Sequence, residues 1–243
     1  MSEIIAGRNP VREALRAGRP INKIVIAKGA NTGPMGEIAK LAREASIPIQ
    51  TLERSRLDKL AATTTHQGVI AYAAAKEYVE VEDILKLARS KGEDPFIVML
   101  DEINDPHNLG AILRTVDAAG AHGVIIPQRR SVALTATVAK ASAGAVEYVP
   151  VARVTNLDQT LRMLKEEGLW VVGADMEGSE VFWQANLTGP LLLVIGGEGK
   201  GLGRLIRERC DLLVRLPMAG RVGSLNASVA AALLIYEVVR QRG

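Results

Sequence analysis

Three short polar segments near the C-terminal end of the sequence contain residue types that bind ligands and assist group transfer. Residues 196–201 form a glycine-rich run directly after the apolar run 191–195, and residues 217–220 follow a second apolar run, 212–216. Residues 224–228 offer hydroxyl and amide groups at the start of a predicted helix, where anions and capping side chains are favoured. Open α/β sheets bind ligands beyond the carboxyl ends of their strands, so these segments predict one ligand site.

A further chemical feature is the segment that contains Asn108 and Arg114. Asn108 ends a polar loop, residues 101–108, and Arg114 lies six residues later on a predicted helix, residues 109–119. Loop and helix together could direct both side chains to one site. An ordinary interpretation stays open, in which Asn108 caps the helix and Arg114 forms a surface ion pair.

The glycine-rich run does not fit the two common nucleotide-binding motifs. A P-loop requires a glycine where this sequence has Val194 and a hydroxyl residue where it has Gly201. The dinucleotide-binding pattern requires a glycine at the position of Leu202. A soluble metabolic enzyme that uses ATP or NAD is therefore disfavoured.

The histidines and the cysteine do not indicate a metal site or a disulfide. His107 and His122 have no partners at metal-ligand spacing, and the chain has a single cysteine, Cys210. The first ten residues lack the pattern of a secretion signal, and no uncharged apolar run reaches membrane-spanning length. The sequence predicts a cytoplasmic protein without a membrane segment or a bound metal.

The elements that must position these residues alternate between strands and helices. Apolar runs of strand length and segments of helical spacing follow each other along the 243 residues, which predicts an α/β fold with a mostly parallel sheet. Residues 1–76 form a small α/β domain in this interpretation, and residues 95–243 form a larger one. Residues 77–94 are acidic, contain one predicted helix at 81–90, and are interpreted as a linker.

The positive charge of the chain is concentrated at its N-terminal end. Residues 1–76 carry 12 Lys and Arg against 6 Asp and Glu, whereas residues 101–243 carry 15 of each kind. Such an asymmetry indicates contact with a polyanion, and the competing interpretation is a solvated basic surface. Basic residues of this region include Arg8, Arg12, Arg16, Arg19 and Lys23.

The ordered motifs resemble those of the SpoU class of SPOUT-type RNA ribose 2′-O-methyltransferases, over essentially the whole chain. The matching motifs are residues 108–114, residues 194–202 together with 216–218, and residues 224–228. The first 76 residues, with AGRNPVREAL and HQGV, are similar to the substrate-binding domain of the branch that acts on guanosine in ribosomal RNA. Within that branch, the sequence is most similar to enzymes that act on the peptidyl-transferase region of 23S rRNA.

The resemblance implies a trefoil-knotted C-terminal α/β domain with a mostly parallel sheet and a small N-terminal α/β RNA-binding domain. A knot is not visible in a sequence, and general rules of chain topology argue against one. The resemblance also implies S-adenosylmethionine as the cofactor, held around Gly196, Leu216 and Leu225, with Met218 and Gly197 in the same pocket.

The resemblance assigns the chemistry to five residues: Asn108, Arg114, Glu198, Ser224 and Asn226. Arg114 is interpreted as a donor to a phosphate or the incipient alkoxide, because a guanidinium stays protonated up to about pH 12 and makes a poor base. Asn108 would position Arg114 or the ribose, and Glu198 would orient Arg114 or the hydroxyl. Ser224 and Asn226 would hold the phosphate and close the loop, and both could also cap a helix.

The resemblance further implies a homodimer formed through the catalytic domain. The last helix agrees with this, since residues 227–239 leave almost no polar face and Leu234 is interpreted as an outward position. Burial of this helix within one subunit is the competing interpretation.

Several functions stay open on sequence grounds. The favoured one is methylation of a guanosine ribose in large-subunit ribosomal RNA. A transfer RNA ribose 2′-O-methyltransferase is the main competitor within the family. A non-catalytic RNA-binding or ribosome-assembly protein of the same fold is a third, although it has less reason to retain Asn108, Arg114 and Asn226.

Overall fold

The computed structural model describes residues 2–30, 33–61, 65–199 and 201–243. The chain divides into two compact units. The first unit consists of Met1–Glu77 and Leu134–Tyr148, and the second of Tyr78–Ala133 and Val149–Gly243. This division differs from the boundaries expected from the sequence in two places, residues 77–94 and residues 134–148.

Strands and helices follow each other in the following order along the chain. Up to residue 77 they are β1 Ser2–Ala6, α1 Arg8–Arg16, β2 Ile21–Ala27, α2 Pro34–Glu44, β3 Ile49–Leu52, α3 Arg54–Ala61 and β4 Val69–Ala74. Beyond it they are α4 Val81–Lys91, β5 Phe96–Asp101, α5 Pro106–Ala119, β6 Gly123–Pro127, α6 Ala136–Ala141, a 3₁₀ turn Ala145–Glu147, β7 Val151–Val154, α7 Leu157–Glu166, β8 Trp170–Ala174, β9 Glu180–Val181, β10 Leu191–Gly196, α8 Arg204–Arg209, β11 Leu212–Arg215 and α9 Ala227–Arg242.

The first unit contains a four-stranded mixed sheet in the order β1-β4-β2-β3, with helices on both faces. Side chains of a strand alternate between the faces, so Ile24 and Ile26 of β2 pack with α1 and α2, whereas Val25 packs with α3. Leu57 anchors α3 to the sheet and is fully buried, which stabilises the unit by about 1.5–3 kcal/mol. The predicted polar turn at 63–68 begins outside the described residues.

The segment Leu134–Tyr148 groups with the first unit, and polar side chains at its C-terminal end bond there. Arg19 donates to the buried Glu147 carboxylate over 2.7 Å and to Glu3 over 2.9 Å. The Tyr148 hydroxyl donates to Glu13 over 2.7 Å. Removing either partner of this ion pair would leave the other charge buried and unpaired, which is strongly destabilising. The pair therefore holds the segment to the first unit. The predicted assignment of all residues from 95 to 243 to one domain therefore does not hold for this segment.

The second unit contains a seven-stranded sheet in the order β7-β6-β5-β10-β8-β11-β9. Every neighbouring pair of strands in it is parallel, which confirms the predicted mostly parallel sheet. The trefoil knot stays a prediction. In the described part of the chain no helix combines the length and the apolar character that crossing a membrane requires.

Residues 77–94 are not a linker. Helix α4 contributes Val81, Ile84 and Leu85 to the core of the second unit. The acidic residues that suggested a linker cap the start of this helix, because the side chains of Glu80 and Asp83 accept from each other's backbone N–H groups. Carboxylates at a helix N-terminus also interact favourably with the helix dipole, so the charge run is a helix start.

Candidate active site

The carboxyl ends of three adjacent strands, β10, β8 and β11, open into one cavity of about 710 Å³. Its lining includes all five residues that the resemblance assigned to the cofactor: Gly196, Gly197, Leu216, Met218 and Leu225. Glu198, Ser224 and Asn226 line it as well. The predicted convergence of three loops at the ends of parallel strands therefore agrees with the structure.

Two residues at the end of β10 have to be glycine because other segments of backbone pass close to them. A Cβ atom on Gly196 would lie 2.2 Å from the carbonyl carbon of Gly201, and one on Gly197 would lie 2.5 Å from the carbonyl oxygen of Glu102. Both contacts are with backbone, which cannot rotate away as a side chain can. Glycine at these positions lets the chain pass close to itself at the cavity wall. Lys200, in the same run, lies outside the described residues.

Asp101, which the sequence analysis did not single out, fixes the far end of the glycine-rich run. Its Oδ2 accepts from the backbone N–H of Gly203 over 2.8 Å. Asp101 ends β5 and pairs with Gly196 in the sheet, so the carboxylate joins the two ends of the run. Burial raises the pKa of Asp101 above its ordinary value. Its position at the end of a strand that pairs with β10 could not be read from the sequence.

Three polar side chains from separate motifs form a hydrogen-bonded cluster at the cavity. Glu198 Oε1 accepts from Asn108 Nδ2 over 2.9 Å and from Asn226 Nδ2 over 2.6 Å. Asn226 Nδ2 also donates to Asn108 Oδ1 over 3.0 Å. We call Asn108, Glu198 and Asn226 the amide–carboxylate cluster.

Asn226 serves the fold and the cluster at the same time. Its Oδ1 accepts from the backbone N–H groups of Ser228, at 2.9 Å, and Val229, at 3.4 Å, and so caps α9. Its Nδ2 is left to bond the cluster. Helix capping therefore does not prevent Asn226 from bonding the cluster, and its functional role stays a prediction.

Asn108 does not cap a helix. Helix α5 begins at Pro106, three residues earlier than predicted, because Asp105 accepts from the backbone N–H of His107 over 2.9 Å and forms the cap. Asn108 is thus inside the first turn, buried, with its side chain directed to Glu198.

Arg114 and Ser224 are exposed and form no hydrogen bond with any residue that the structure describes. Six residues of α-helix rotate a side chain by about 600°, so Arg114 points roughly 120° away from Asn108 on α5. The predicted contacts of Arg114 with Asn108 or Glu198 are absent from this arrangement. Arg114 forms no surface ion pair with a described residue either, so its guanidinium is available to a partner.

The contribution of β8 to the cavity was not predicted from the sequence. Asp175, Met176 and Glu177 follow this strand and line the cavity wall. Arg207 bonds Glu177 over 2.7 Å and approaches Asp175 within 3.4 Å. The acidic residues after an apolar strand were a usable signal, but only the strand order, with β8 between β10 and β11, brings them to the site.

An apolar surface lies on the outer side of α9, away from the core. Val229, Leu233 and Tyr236 are 47%, 44% and 50% exposed, and with Ala111 and Phe182 they line a shallow open groove. Leu234, in contrast, is fully buried, so its interpretation as an outward residue is wrong. The helix turns Leu233 outward instead.

In the described part of the chain no group of three or more His, Cys, Asp or Glu residues could hold a metal ion.

Fold and site together define an α/β protein that binds a ligand beyond the carboxyl ends of a parallel sheet. Residues 95–236 match the model of the SpoU rRNA Methylase family, and residues 4–79 match that of the RNA 2′-O ribose methyltransferase substrate binding domain. The chain therefore belongs to the SpoU family of RNA 2′-O-ribose methyltransferases, as the motifs predicted.

Relatives match along nearly the whole chain. YacO of Bacillus subtilis, assigned to the TrmH family of tRNA/rRNA methyltransferases, is 53% identical over 240 residues, which cover 99% of this chain and 96% of that protein. A protein of Staphylococcus aureus (strain MSSA476) with the same assignment is 49% identical over 239 residues, which cover 98% of this chain and 96% of that protein.

Solved structures share the fold. The SpoU methyltransferase AviRb from Streptomyces viridochromogenes, in complex with the cofactor AdoMet, is 26% identical, with a TM-score of 0.83 and coverage of 99% of this chain and 90% of that chain. The AdoMet-bound rRNA methyltransferase from Sinorhizobium meliloti is 26% identical, with a TM-score of 0.80 and coverage of 98% and 87%.

Proposed function

We propose that this protein transfers a methyl group from S-adenosylmethionine to the ribose 2′-hydroxyl of a guanosine in structured RNA, in the peptidyl-transferase region of 23S rRNA. The observation that carries the proposal is the amide–carboxylate cluster at the rim of the cavity, because it places a bonded carboxylate beside a space for a cofactor. Two family members with the same fold bind AdoMet. The cytoplasm is the proposed site of action.

The cavity fits S-adenosylmethionine in size and chemistry. Its volume of about 710 Å³ lies within the range of about 300–1,000 Å³ that is usual for small-molecule sites. Leu216, Met218 and Leu225 offer apolar walls to an adenine ring, and the bare backbone at Gly196 and Gly197 leaves N–H and C=O groups accessible. When bound, the cofactor supplies a sulfonium methyl group that accepts a nucleophile.

The residues of the chain then have to align a weak nucleophile and stabilise the charge that develops on its oxygen. Both amide donors of the cluster use Glu198 Oε1, which leaves Oε2 for the incoming ribose hydroxyl. We assign to Glu198 the orientation of that hydroxyl, and to Asn108 and Asn226 the orientation of Glu198. Arg114 and Ser224 are exposed and have no hydrogen-bond partner among the described residues, and we assign them to the substrate phosphate or the incipient alkoxide.

The first test is cofactor binding without RNA. Isothermal titration of the purified protein with S-adenosylhomocysteine should give about one site per subunit, since the cavity is formed by one chain. ATP and NAD, titrated in the same way, should give no binding. Binding of NAD or ATP without S-adenosylhomocysteine would contradict the proposal and favour a metabolic enzyme.

The substrate is tested by mapping methylated riboses in RNA from cells with and without the protein. Loss of one methylated guanosine in 23S rRNA supports the proposal. Loss of a methylated ribose in tRNA instead would establish the second candidate, which the assignment of YacO to tRNA/rRNA methyltransferases also covers. An unchanged RNA would point to the non-catalytic RNA-binding alternative.

We also propose that the protein is a homodimer formed through the exposed apolar face of α9. Leu233→Glu should yield a monomer by light scattering, because it introduces a charge into an apolar contact. Leu60→Glu is the matched control, since Leu60 on α3 is 40% exposed, close to the 44% of Leu233, and lies in the first unit. A monomeric wild type, or dimers of both variants, would contradict this assignment.

A further inference from the structure

The positive charge that the sequence placed on α1 is largely neutralised within the first unit. Arg12 bonds Glu13 over 2.8 Å, and Arg16 bonds Glu13 over 3.3 Å and Glu37 over 2.5 Å. Arg19 is 9% exposed and bonds two carboxylates. Cations that are already paired with carboxylates gain less from a phosphate, so Arg12, Arg16 and Arg19 are poor candidates for contacts with RNA.

Helix α3, on the opposite face of the same sheet, carries unpaired charge. Arg54, Arg56 and Lys59 are exposed and form no hydrogen bond or ion pair with a described residue. The one carboxylate of this helix, Asp58, accepts from the buried His66 over 2.8 Å and forms no ion pair with these three cations. Four of the eight residues of α3 are thus charged, and three of the four are cations with no ion-pair partner in the described part of the chain.

The same face of the sheet adds a cation that lies on an aromatic ring. Lys23 Nζ is 4.6 Å from the centre of the Tyr72 ring, and the two residues are paired in neighbouring strands. Tyr72 packs against the cluster that contains Leu57 of α3, so ring and helix share one face. Exposed cations beside an accessible aromatic ring suit a nucleic acid, whose phosphates and bases require both.

We propose that the α3 face of the first unit, defined by Lys23, Arg54, Arg56, Lys59 and Tyr72, is the surface that contacts the phosphates of the RNA substrate. The proposal rests on the proposed function, since it takes structured RNA as the substrate. Of the basic residues to which the sequence gave this role, the proposal keeps Lys23 and replaces the arginines at positions 8–19 with those of α3. With a single tyrosine, the surface supplies phosphate contacts more than base stacking.

Deleting residues 1–76 would be a poor test, because Leu134–Tyr148 packs on the deleted part. Two double variants of the full chain are better. Arg56→Gln/Lys59→Gln removes two free cations from α3, and Lys40→Gln/Arg43→Gln removes two exposed cations from α2 on the other face. Both pairs change the net charge by the same amount, so a difference between them reports position and not overall charge.

Binding to a fragment of the peptidyl-transferase region of 23S rRNA is measured over a range of salt concentrations. The α3 variant should bind roughly tenfold more weakly, and its slope of log affinity against log salt should fall by about 1.4–1.8, as expected for two lost phosphate contacts. The α2 variant should retain wild-type affinity and slope. Equal losses in both variants, or no loss in the α3 variant, would overturn the proposal.

A separate readout distinguishes this proposal from the proposed function. S-adenosylhomocysteine affinity should be equal in the wild type and both variants, because the cavity belongs to the second unit. Equal melting temperatures show that the first unit of each variant is folded. If the wild type binds the fragment but does not methylate it, the proposed function fails, while the difference between the two variants still decides the role of α3.

Discussion

Replacing Arg114 with alanine should lower the rate of ribose methylation by roughly two orders of magnitude or more, the usual scale for loss of a donor that stabilises a transition state. The affinity for S-adenosylhomocysteine should not change, since Arg114 does not line the cavity. Stability should not change either, because the side chain is exposed and has no partner among the described residues. Single-turnover methyl transfer, calorimetry and thermal unfolding measure the three quantities.

Two control variants define what Arg114 contributes. Arg114→Lys keeps the charge and loses the planar fork of donors, so a rate between wild type and alanine would indicate recognition of a phosphate or alkoxide by geometry as well as charge. Arg129→Ala removes another exposed arginine of the second unit and should leave the rate unchanged. Near-normal turnover of Arg114→Ala would return Arg114 to an ordinary surface residue.

The sequence was enough to predict that the polar segments meet at one site, but not which hydrogen bonds their side chains form there. Apolar runs followed by glycine and polar residues mark strand ends, and strand ends of a parallel sheet meet at one edge. The pairing of Asn108 depends on where α5 begins. A start at residue 109 makes Asn108 a cap, whereas the observed start at Pro106 turns its side chain into the site.

Domain boundaries were harder to predict because a segment can pack with residues that are far from it in the sequence. The apolar residues of α4 have helical spacing, but the acidic residues at its start conceal that it belongs to a core. Leu134–Tyr148 lies between two strands of the parallel sheet, yet Glu147 finds its partner in Arg19, 128 residues earlier. No local pattern records such a partner.

The last helix shows the same limit for a different reason. Helix α9 is apolar nearly all round, so the sequence contains no preferred face and Leu233 and Leu234 look equivalent. The structure separates them, at 44% and 0% exposure. Glu237 lines the outer groove with Leu233 and Tyr236, yet its residue is only 8% exposed and its carboxylate bonds Arg240 over 2.6 Å.

Replacing Gly196 with alanine should impair cofactor binding and stability together. The added Cβ would lie 2.2 Å from the carbonyl carbon of Gly201 and 2.5 Å from the backbone nitrogen of Leu202. Because these are backbone atoms, either β10 or the end of the glycine-rich run must move. Overpacking of this kind costs about 1–3 kcal/mol, which corresponds to a fall in affinity of up to roughly a hundredfold if the strain is borne by the bound state.

Gly220→Ala is the matched control for this variant. Gly220 lies on the loop that follows Met218, and a Cβ added there meets no atom within 4 Å. Its S-adenosylhomocysteine affinity and melting temperature should both equal those of the wild type. Since Asp101 holds Gly203 at the far end of the run, the displacement in Gly196→Ala cannot be absorbed by sliding the loop outward without breaking that 2.8 Å bond. Wild-type affinity in Gly196→Ala would show that the crossing is not part of the cofactor site.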